Sequence, residues 1–447
     1  MTIPPRLEDY LGRISPDRRA LATATLTLTF GDILARAQSL RQAGLPERLT
    51  LNADDLCETV PVLVAADGVA DRLLLASPDL EPIALAELCA QADCPVRPSI
   101  DISSVALLPE LVARNAGSGR ASDAGPRETT WILTTSGTTG APKLVPHQLA
   151  GLIRSVRLDR IAAEDAVWGL LYDYTRFAGL QVVLQSLLSG ACLAVPERTA
   201  GLGDRIRFLA AAGVTHLSAT PTLWRKILMT AEHRLLQLKQ VTLGGEIADA
   251  AILAALARAF PGARVSHIFA STEAGVGFSV TDGLAGFPVS YLDTPPSGIG
   301  LAVRDGRLFI RNTLAASTYL DGAPLSDAGW VDTGDMVEIE GGRVQFRGRA
   351  SGVINVGGDK VAPAVVEAAV LAHPAVRLAR IHARSNPITG ALVAADIVPD
   401  PATPDLPALK ADLTRFLAAR LPRHMVPALI RFVEDLDVNP AGKIRRS

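Results

Sequence analysis

From Trp131 to Ala270 short apolar runs (WILTT, VWGLLY, ACLAV, THLSA, VTLGG, VSHIFA) alternate with stretches of helical apolar spacing such as AAILAALARAF. That alternation restricts the chain to parallel strands covered by helices, the α/β class. The opening repeats the theme: Thr25–Phe30 alternates as a strand, and Ile33, Leu34, Ala37 and Leu40 follow at helical spacing up to Gly44. From about Gly298 the pattern changes to short strands and turns (RLFIRN, GWVDTGDMVEIEGG, VQFRGR), which reads as antiparallel. The last hundred residues or so mix strands with two helices, PAVVEAAVLAHP and DLPALKADLTRFLAARLP. Residues 115–128 (NAGSGRASDAGPRE) carry no apolar period and read as a linker or exposed loop. The 447 residues allow about three packing units. The expected architecture is a large N-terminal domain of helix-covered sheets plus a small antiparallel region, followed by an α+β C-terminal domain.

Composition removes several function classes. Lys and Arg (44) nearly balance Asp and Glu (46), so no overall electrostatic footprint for nucleic acid exists. Cys57, Cys89, Cys94 and Cys192 form no CxxC pair, which argues against a zinc site or a disulfide framework and for a reducing compartment. The N-terminus lacks the basic-then-apolar order of a secretory signal, and the chain reads as cytoplasmic. Phe177–Pro196 is uncharged over a length that spans a bilayer. Gln181 and Gln185 on one helical face, and Ser189-Gly190 before ACLAV, make it a buried helix and strand instead, so no membrane span is expected.

Thr134–Lys143 (TTSGTTGAPK) follows a strand run and precedes a helical pattern with Leu149, Leu152, Ile153 and Val156 on one face. Hydroxyls, backbone N–H groups and the Lys143 ammonium in such a loop can hold a polyphosphate. A flexible turn would have the same composition, and the spacing is not that of a Walker A loop. The full string, however, resembles the phosphate loop of the adenylate-forming family, which comprises acyl-CoA synthetases, peptide-synthetase adenylation domains and luciferases. The other motifs of that family recur in order. Leu243-Gly244-Gly245-Glu246 resembles its adenine-side loop. Phe269-Ala270-Ser271-Thr272-Glu273 resembles its Tyr-Gly-x-Thr-Glu. Trp330–Asp335 resembles its Thr-Gly-Asp, and Phe346–Arg349 its Gly-Arg element. Val353–Glu367 resembles the opening of its mobile C-terminal domain, and Asn439–Ile444 its terminal Pro-x-Gly-Lys. Departures are Leu144 where Gly is usual, Ala270 for Gly, and Ser351 where the hinge acid is usual.

The resemblance implies domains at 1–348 and 349–447 and a two-step ligase: a carboxylate attacks the α-phosphate of MgATP, and a thiol then displaces AMP. It implies an ATP site of Thr135, Ser136, Gly137, Thr138, Thr139, Gly140, Lys143, Gly244, Gly245, Glu246, Phe269, Ala270, Ser271, Asp335 and Arg349. Phe269 would stack on adenine, and Asp335 would accept from the ribose hydroxyls. Glu273 would be the Mg²⁺ ligand, Thr272 would lie near the phosphates, and Lys443 would be the adenylation lysine. Tyr172, Arg176, Phe177 and Gly277 would line the acid pocket, with Arg176 either contacting the substrate or pairing with Asp173 on the surface. Gly357-Gly358 would lie along the pantetheine tunnel, though a Gly-Gly hairpin needs no function to exist. The expected acid is a small aryl or alkyl acid, and the expected acceptor is CoA, for whose phosphates Lys360, Arg377 and Arg380 are available. A phosphopantetheine on a separate carrier protein is the alternative acceptor. A nucleotide-binding homologue without turnover is the alternative of another class, disfavoured by the joint presence of Glu273, Asp335 and Lys443.

Overall fold

The apolar runs associate into two helix-covered sheets in the computed structural model, which describes residues 5–95, 127–135, 143–159, 161–386, 390–439 and 442–444. The larger sheet has eight strands in the order Gly275–Val280, Arg264–Ser271, Gln240–Gly244, His216–Ala219, Val167–Gly169, Cys192–Ala194, Arg19–Ala22, Thr27–Thr29. Its six inner strands are parallel, and each edge strand pairs antiparallel. A second sheet orders Arg48–Leu51, Arg72–Leu75, Thr130–Thr134 and Leu144–His147, the last pair antiparallel. The region after Gly298 forms, with Phe287–Pro288, the expected antiparallel sheet.

The C-terminal unit has a core of its own, around Val361, Val366, Val370, Ile397, Leu413 and Leu417. Its two helices are Pro363–Leu371 and Leu406–Ala418, packed with the strands Val376–Asn386, Gly390–Pro399 and Leu429–Phe432. Phe177–Leu188 is a helix, Gly190 turns with φ +74, and Cys192–Ala194 is a buried strand. Among the described residues no helix is long and apolar enough to cross a membrane.

Two local expectations are corrected. The first strand ends at Thr29, whose hydroxyl accepts from Asp32 N while the Asp32 carboxylate accepts from Thr29 N, so the helix already begins at Phe30. The phosphate-loop string does not lead from a strand into a helix. It joins Thr130–Thr134 to the strand Leu144–His147, and the helix after it is only Leu149–Ile153, with the buried Val156 beyond its end. Leu144 pairs with Thr134 and buries its side chain, which accounts for an apolar residue there.

At Gly179, in the first turn of the Phe177–Leu188 helix, an added Cβ would lie 2.1 Å from the Asp173 carbonyl oxygen. Neither backbone can yield, so Gly179→Ala is expected to destabilise the protein by about 2 kcal/mol and displace Tyr172–Phe177. Thermal unfolding would read the loss, and an unchanged midpoint would contradict this packing.

Candidate active site

Parallel strands His216–Ala219, Gln240–Gly244 and Arg264–Ser271 end side by side, the place where open α/β sheets bind ligands. The three chain segments leaving those ends, with the end of Thr130–Thr134, wall a cleft of about 2250 Å³. Gly244, Gly245, Glu246, Phe269, Ala270, Ser271, Thr272 and Glu273 line it from the strand ends. Asp335, Arg349 and Lys443 line it from the C-terminal side, and Thr135, Lys143, Tyr172, Arg176, Phe177 and Gly277 from the remaining walls. Ser136, Gly137, Thr138, Thr139 and Gly140 lie outside the described residues, as do Pro440 and Ala441.

Lys443 is held in place by several contacts. Thr220 caps the helix Pro221–Met229 by accepting from Leu223 N at 3.0 Å, and its hydroxyl also donates to the Gly442 carbonyl. Asn439 closes the turn: its N–H donates to Lys443 O at 2.8 Å, and its side-chain oxygen accepts from Lys443 N at 3.1 Å. Lys226 of the same helix pairs with Asp435 at 2.8 Å. A Cβ on Gly245, whose φ is +79, would stand 3.3 Å from Lys443 Cε. Desolvation in the cleft lowers the Lys443 pKa; Glu246 opposes this most, Arg349 adds to the lowering, and Asp335 and Glu273 raise it. Glu246 is itself anchored, accepting from Thr222 N at 3.0 Å.

Asp335 sits on a strand irregularity. Phe309 pairs with Asp332 and Arg307 with Met336, so Thr333, Gly334 and Asp335 oppose Leu308 alone, with Gly334 at φ +72. The Thr-Gly-Asp string is therefore a bulge within Trp330–Glu340 and not a hairpin turn. Burial raises the Asp335 pKa, against Arg349, whose guanidinium donates to it at 3.2 Å and to the Thr333 carbonyl at 2.7 Å.

Glu273 lies within a turn in which Ser271 Oγ accepts from Ala274 N at 3.0 Å. Among the described residues no cluster of three or more His, Cys, Asp or Glu is placed to hold a metal ion. The Glu273 carboxylate on this cleft suits Mg²⁺, a cation that commonly leaves most of its ligand positions to phosphate and water. The Phe269 ring is nearly parallel to both Phe278 and Phe346, at 5.5 and 5.3 Å between centroids. It is thus part of an aromatic array that a purine would extend rather than a lone platform. Arg176 donates to Thr134 Oγ1 at 2.7 Å and lies 3.9 Å from Asp173. Asp173 is buried and already accepts from Ser77 and Thr175, so the pairing expected at the surface is an interior one. A Cβ on Gly277 would lie 3.0 Å from the Phe269 carbonyl oxygen, and burial pushes the Tyr172 hydroxyl pKa up. Gly357-Gly358 forms the exposed turn between Ile354–Val356 and Asp359–Val361 and does not line the cleft.

Three contributors escaped the motif reading. Thr220 was visible in principle, because Thr-Pro at 220–221 is a helix-start signal. His147, bonded to the Thr272 main chain, and Tyr319 carry no local signal. Thr135 N donates to Lys143 O at 3.0 Å, Leu320 N donates to Leu144 O at 3.0 Å, and the Lys143 ammonium lies 4.4 Å from the Tyr319 ring centroid. Tyr319→Leu is expected to raise the KM for ATP severalfold through loss of about 1 kcal/mol of cation–π attraction, and Tyr319→Phe to restore it. In a Lys143→Met background the Tyr319→Leu effect should vanish; an undiminished effect would show that Tyr319 acts elsewhere.

The family described as AMP-binding enzyme matches residues 57–318, and the AMP-binding enzyme C-terminal domain matches residues 365–443. A probable 2-succinylbenzoate–CoA ligase of Mycobacterium tuberculosis (strain CDC 1551 / Oshkosh) is 32% identical over 321 residues, 67% of this chain and 80% of that protein. A probable non-canonical nonribosomal peptide synthetase of Salinispora arenicola (strain CNS-205) is 27% identical over 71% of this chain and 4% of its own length. Two further peptide synthetases are likewise spanned over only 7% and 18% of their lengths. The solved o-succinylbenzoate CoA synthetase of Bacillus subtilis, in complex with its acyl-adenylate intermediate, superposes with a TM-score of 0.73 at 19% identity, over 99% of this chain and 97% of that one.

Proposed function

Since the chain belongs to the AMP-binding, adenylate-forming enzyme family, we propose that it activates a carboxylic acid with ATP and transfers the acyl group to the thiol of CoA. The observation that carries this reading is the convergence of Lys443, Glu273 and Asp335 on one cleft at the strand ends. A carboxylate oxygen bonds to the α-phosphorus of ATP as the bond to the β-phosphate oxygen breaks, giving acyl-adenylate and pyrophosphate. The difficulty is an anion attacking an anion, so fixed positive charge must meet the charge that grows in the transition state. The Lys443 ammonium makes no hydrogen bond among the described residues, which leaves its donors for that charge. Glu273 would hold Mg²⁺, which when bound would supply further neutralisation. Lys143 and the Thr134–Lys143 loop receive the outer phosphates, and Asp335 accepts from the ribose hydroxyls. In the second step the thiol sulfur bonds to the acyl carbon and AMP departs.

Residues 1–348 hold the nucleotide and acid sites in this reading, and 349–447 bring in the lysine. Similarity to a CoA ligase along 80% of its length favours CoA as acceptor. The expected basic patch contributes less: Arg377 pairs with Asp400, and Arg380 pairs with Asp396 at 2.7 Å. Similarity to peptide synthetases supports a carrier-protein phosphopantetheine as the second acceptor. Acid-dependent exchange of pyrophosphate into ATP, followed by thioester assays with CoA and with a phosphopantetheinylated carrier, tests both levels. Saturation by the carrier alone would replace CoA, and no exchange with any acid would leave a nucleotide-binding homologue without turnover.

A further inference from the structure

Parallel strands covered on both faces normally read as continuous apolar runs. In the eight-stranded sheet one face obeys that rule: Leu217, Ala219, Val241 and Leu243 pack into the helix-covered core. The other face does not. Thr242 lies directly opposite Ser218 on one side and Ser266 on the other, so three neighbouring strands present a row of hydroxyls. All three are buried, at 6%, 5% and 4% exposure in the order Ser218, Thr242, Ser266, and Thr242 Oγ1 lies 3.4 Å from Ser266 Oγ. One step toward the strand starts, His216, Gln240 and Arg264 form a second row in the same register. Gln240 Nε2 donates to Thr242 Oγ1 at 3.1 Å, and the His216 ring stacks on Trp168 at 4.9 Å.

These rows line the same cleft as Lys443, extending it along the strands from Gly244 to Gln240, about 13 Å at the usual strand rise. The helix Phe177–Leu188 and its end also line the cleft, through Phe177, Gln181, Gln185 and Ser189 at every fourth residue; the Gln181 carboxamide already donates to Leu152 O at 2.8 Å and accepts from Ser155 Oγ at 3.3 Å, with one N–H and one lone pair to spare. A channel lining that carries these hydroxyls and carboxamides offers an alkyl chain no use for the hydrogen-bonding capacity their internal partners leave over, whereas a polar chain can take it up.

Resting on the acid-activation reading above, we propose that the substrate is an elongated acid bearing hydroxyl or amide groups along its chain, which the Ser218–Thr242–Ser266 row and the glutamine stripe recognise. The phosphates and ribose occupy the strand ends, so the acid's body runs down this channel from a carboxylate beside Lys443. This departs from the small aryl or alkyl acid that the sequence suggested.

The test compares kcat/KM for pyrophosphate exchange with octanoic acid and with 8-hydroxyoctanoic acid, using benzoic acid as an acid too short to reach the hydroxyl row. The hydroxylated acid is expected to be preferred by about tenfold or more. Thr242→Val, which keeps the shape and removes the hydroxyl, should reduce that preference to about twofold. Exchange with benzoic acid together with octanoic acid equal to or better than its hydroxylated partner overturns the substrate class and leaves acid activation standing. A preference that survives in Thr242→Val overturns the role of the row. No exchange with any acid overturns both readings.

Discussion

Replacing Lys443 with alanine is expected to slow acyl-adenylate formation by about a hundredfold or more, the scale seen when a preorganised transition-state donor is removed. Thioester formation from pre-made acyl-adenylate should stay close to that of the unaltered chain. The reason lies in the docking of Gly442 on Thr220 and of Asp435 on Lys226, which carries one ammonium to the strand ends. That ammonium faces three carboxylates, Glu246, Asp335 and Glu273, which oppose the lowering of its pKa by desolvation. In the proposed reaction it would serve the step in which negative charge accumulates on phosphorus and would have no task when a thiol attacks a carbonyl. Pyrophosphate exchange reads the first half-reaction, and thioester release from synthetic acyl-adenylate reads the second. An equal loss in both would assign the lysine to the architecture of the cleft.

Acid should unfold the protein through His147. Its ring is buried on the strand Leu144–His147, lies 5.8 Å from the Phe177 ring, and bonds to the Thr272 main chain, while Nε2 is buried without a partner. Burial holds its pKa down to about 4, against the smaller raising influence of Thr272. In the unfolded chain an imidazole titrates near 6.5. Between those values the unfolded chain binds the extra proton and the folded one does not, so stability is complete above about 6.5 and falls as the pH drops toward about 4. The loss attributable to this ring is about 3 kcal/mol. Denaturant unfolding of the unaltered chain and of His147→Gln at pH 7 and pH 4 isolates it: the gap between the two should shift by that amount in favour of the variant. Parallel stabilities at both pH values would show that the ring is not kept neutral.

How much of this was legible in the sequence follows from the range of the interactions. Most strands and helices from Trp131 to Ala270 were readable because period and caps are local, and the motifs that line the cleft at Leu243–Glu246, Phe269–Glu273 and Asp335 occupy strand ends or a strand irregularity. The strand Leu144–His147 was missed because four residues containing Pro146 give little period, and it exists by pairing with Thr130–Thr134. The interior site of Asp173 was equally invisible: Ser77, which donates to it, lies 96 residues away. The polar face of the large sheet was written in HLSA, QVTLG and RVSHIF as alternation. Its meaning needed the register that aligns Ser218, Thr242 and Ser266.

The bulge at Thr333–Asp335 adds two residues to one strand relative to its neighbour, an even number. Because strand side chains change face at every residue, an odd insertion would invert everything beyond it, whereas an even one is phase-neutral. Val331 and Val337 are accordingly both buried on either side of it, with Thr333 and Asp335 at the same inward parity. Deleting Thr333 and Gly334 as a pair would therefore return a plain ladder without turning over a single core residue, while shifting the Asp335 carboxylate out of its place beside Arg349. A two-residue deletion here would thus relocate one cleft-lining carboxylate while leaving the inward side of the strand as it is, so the bulge separates the placing of a site group from the packing of the sheet.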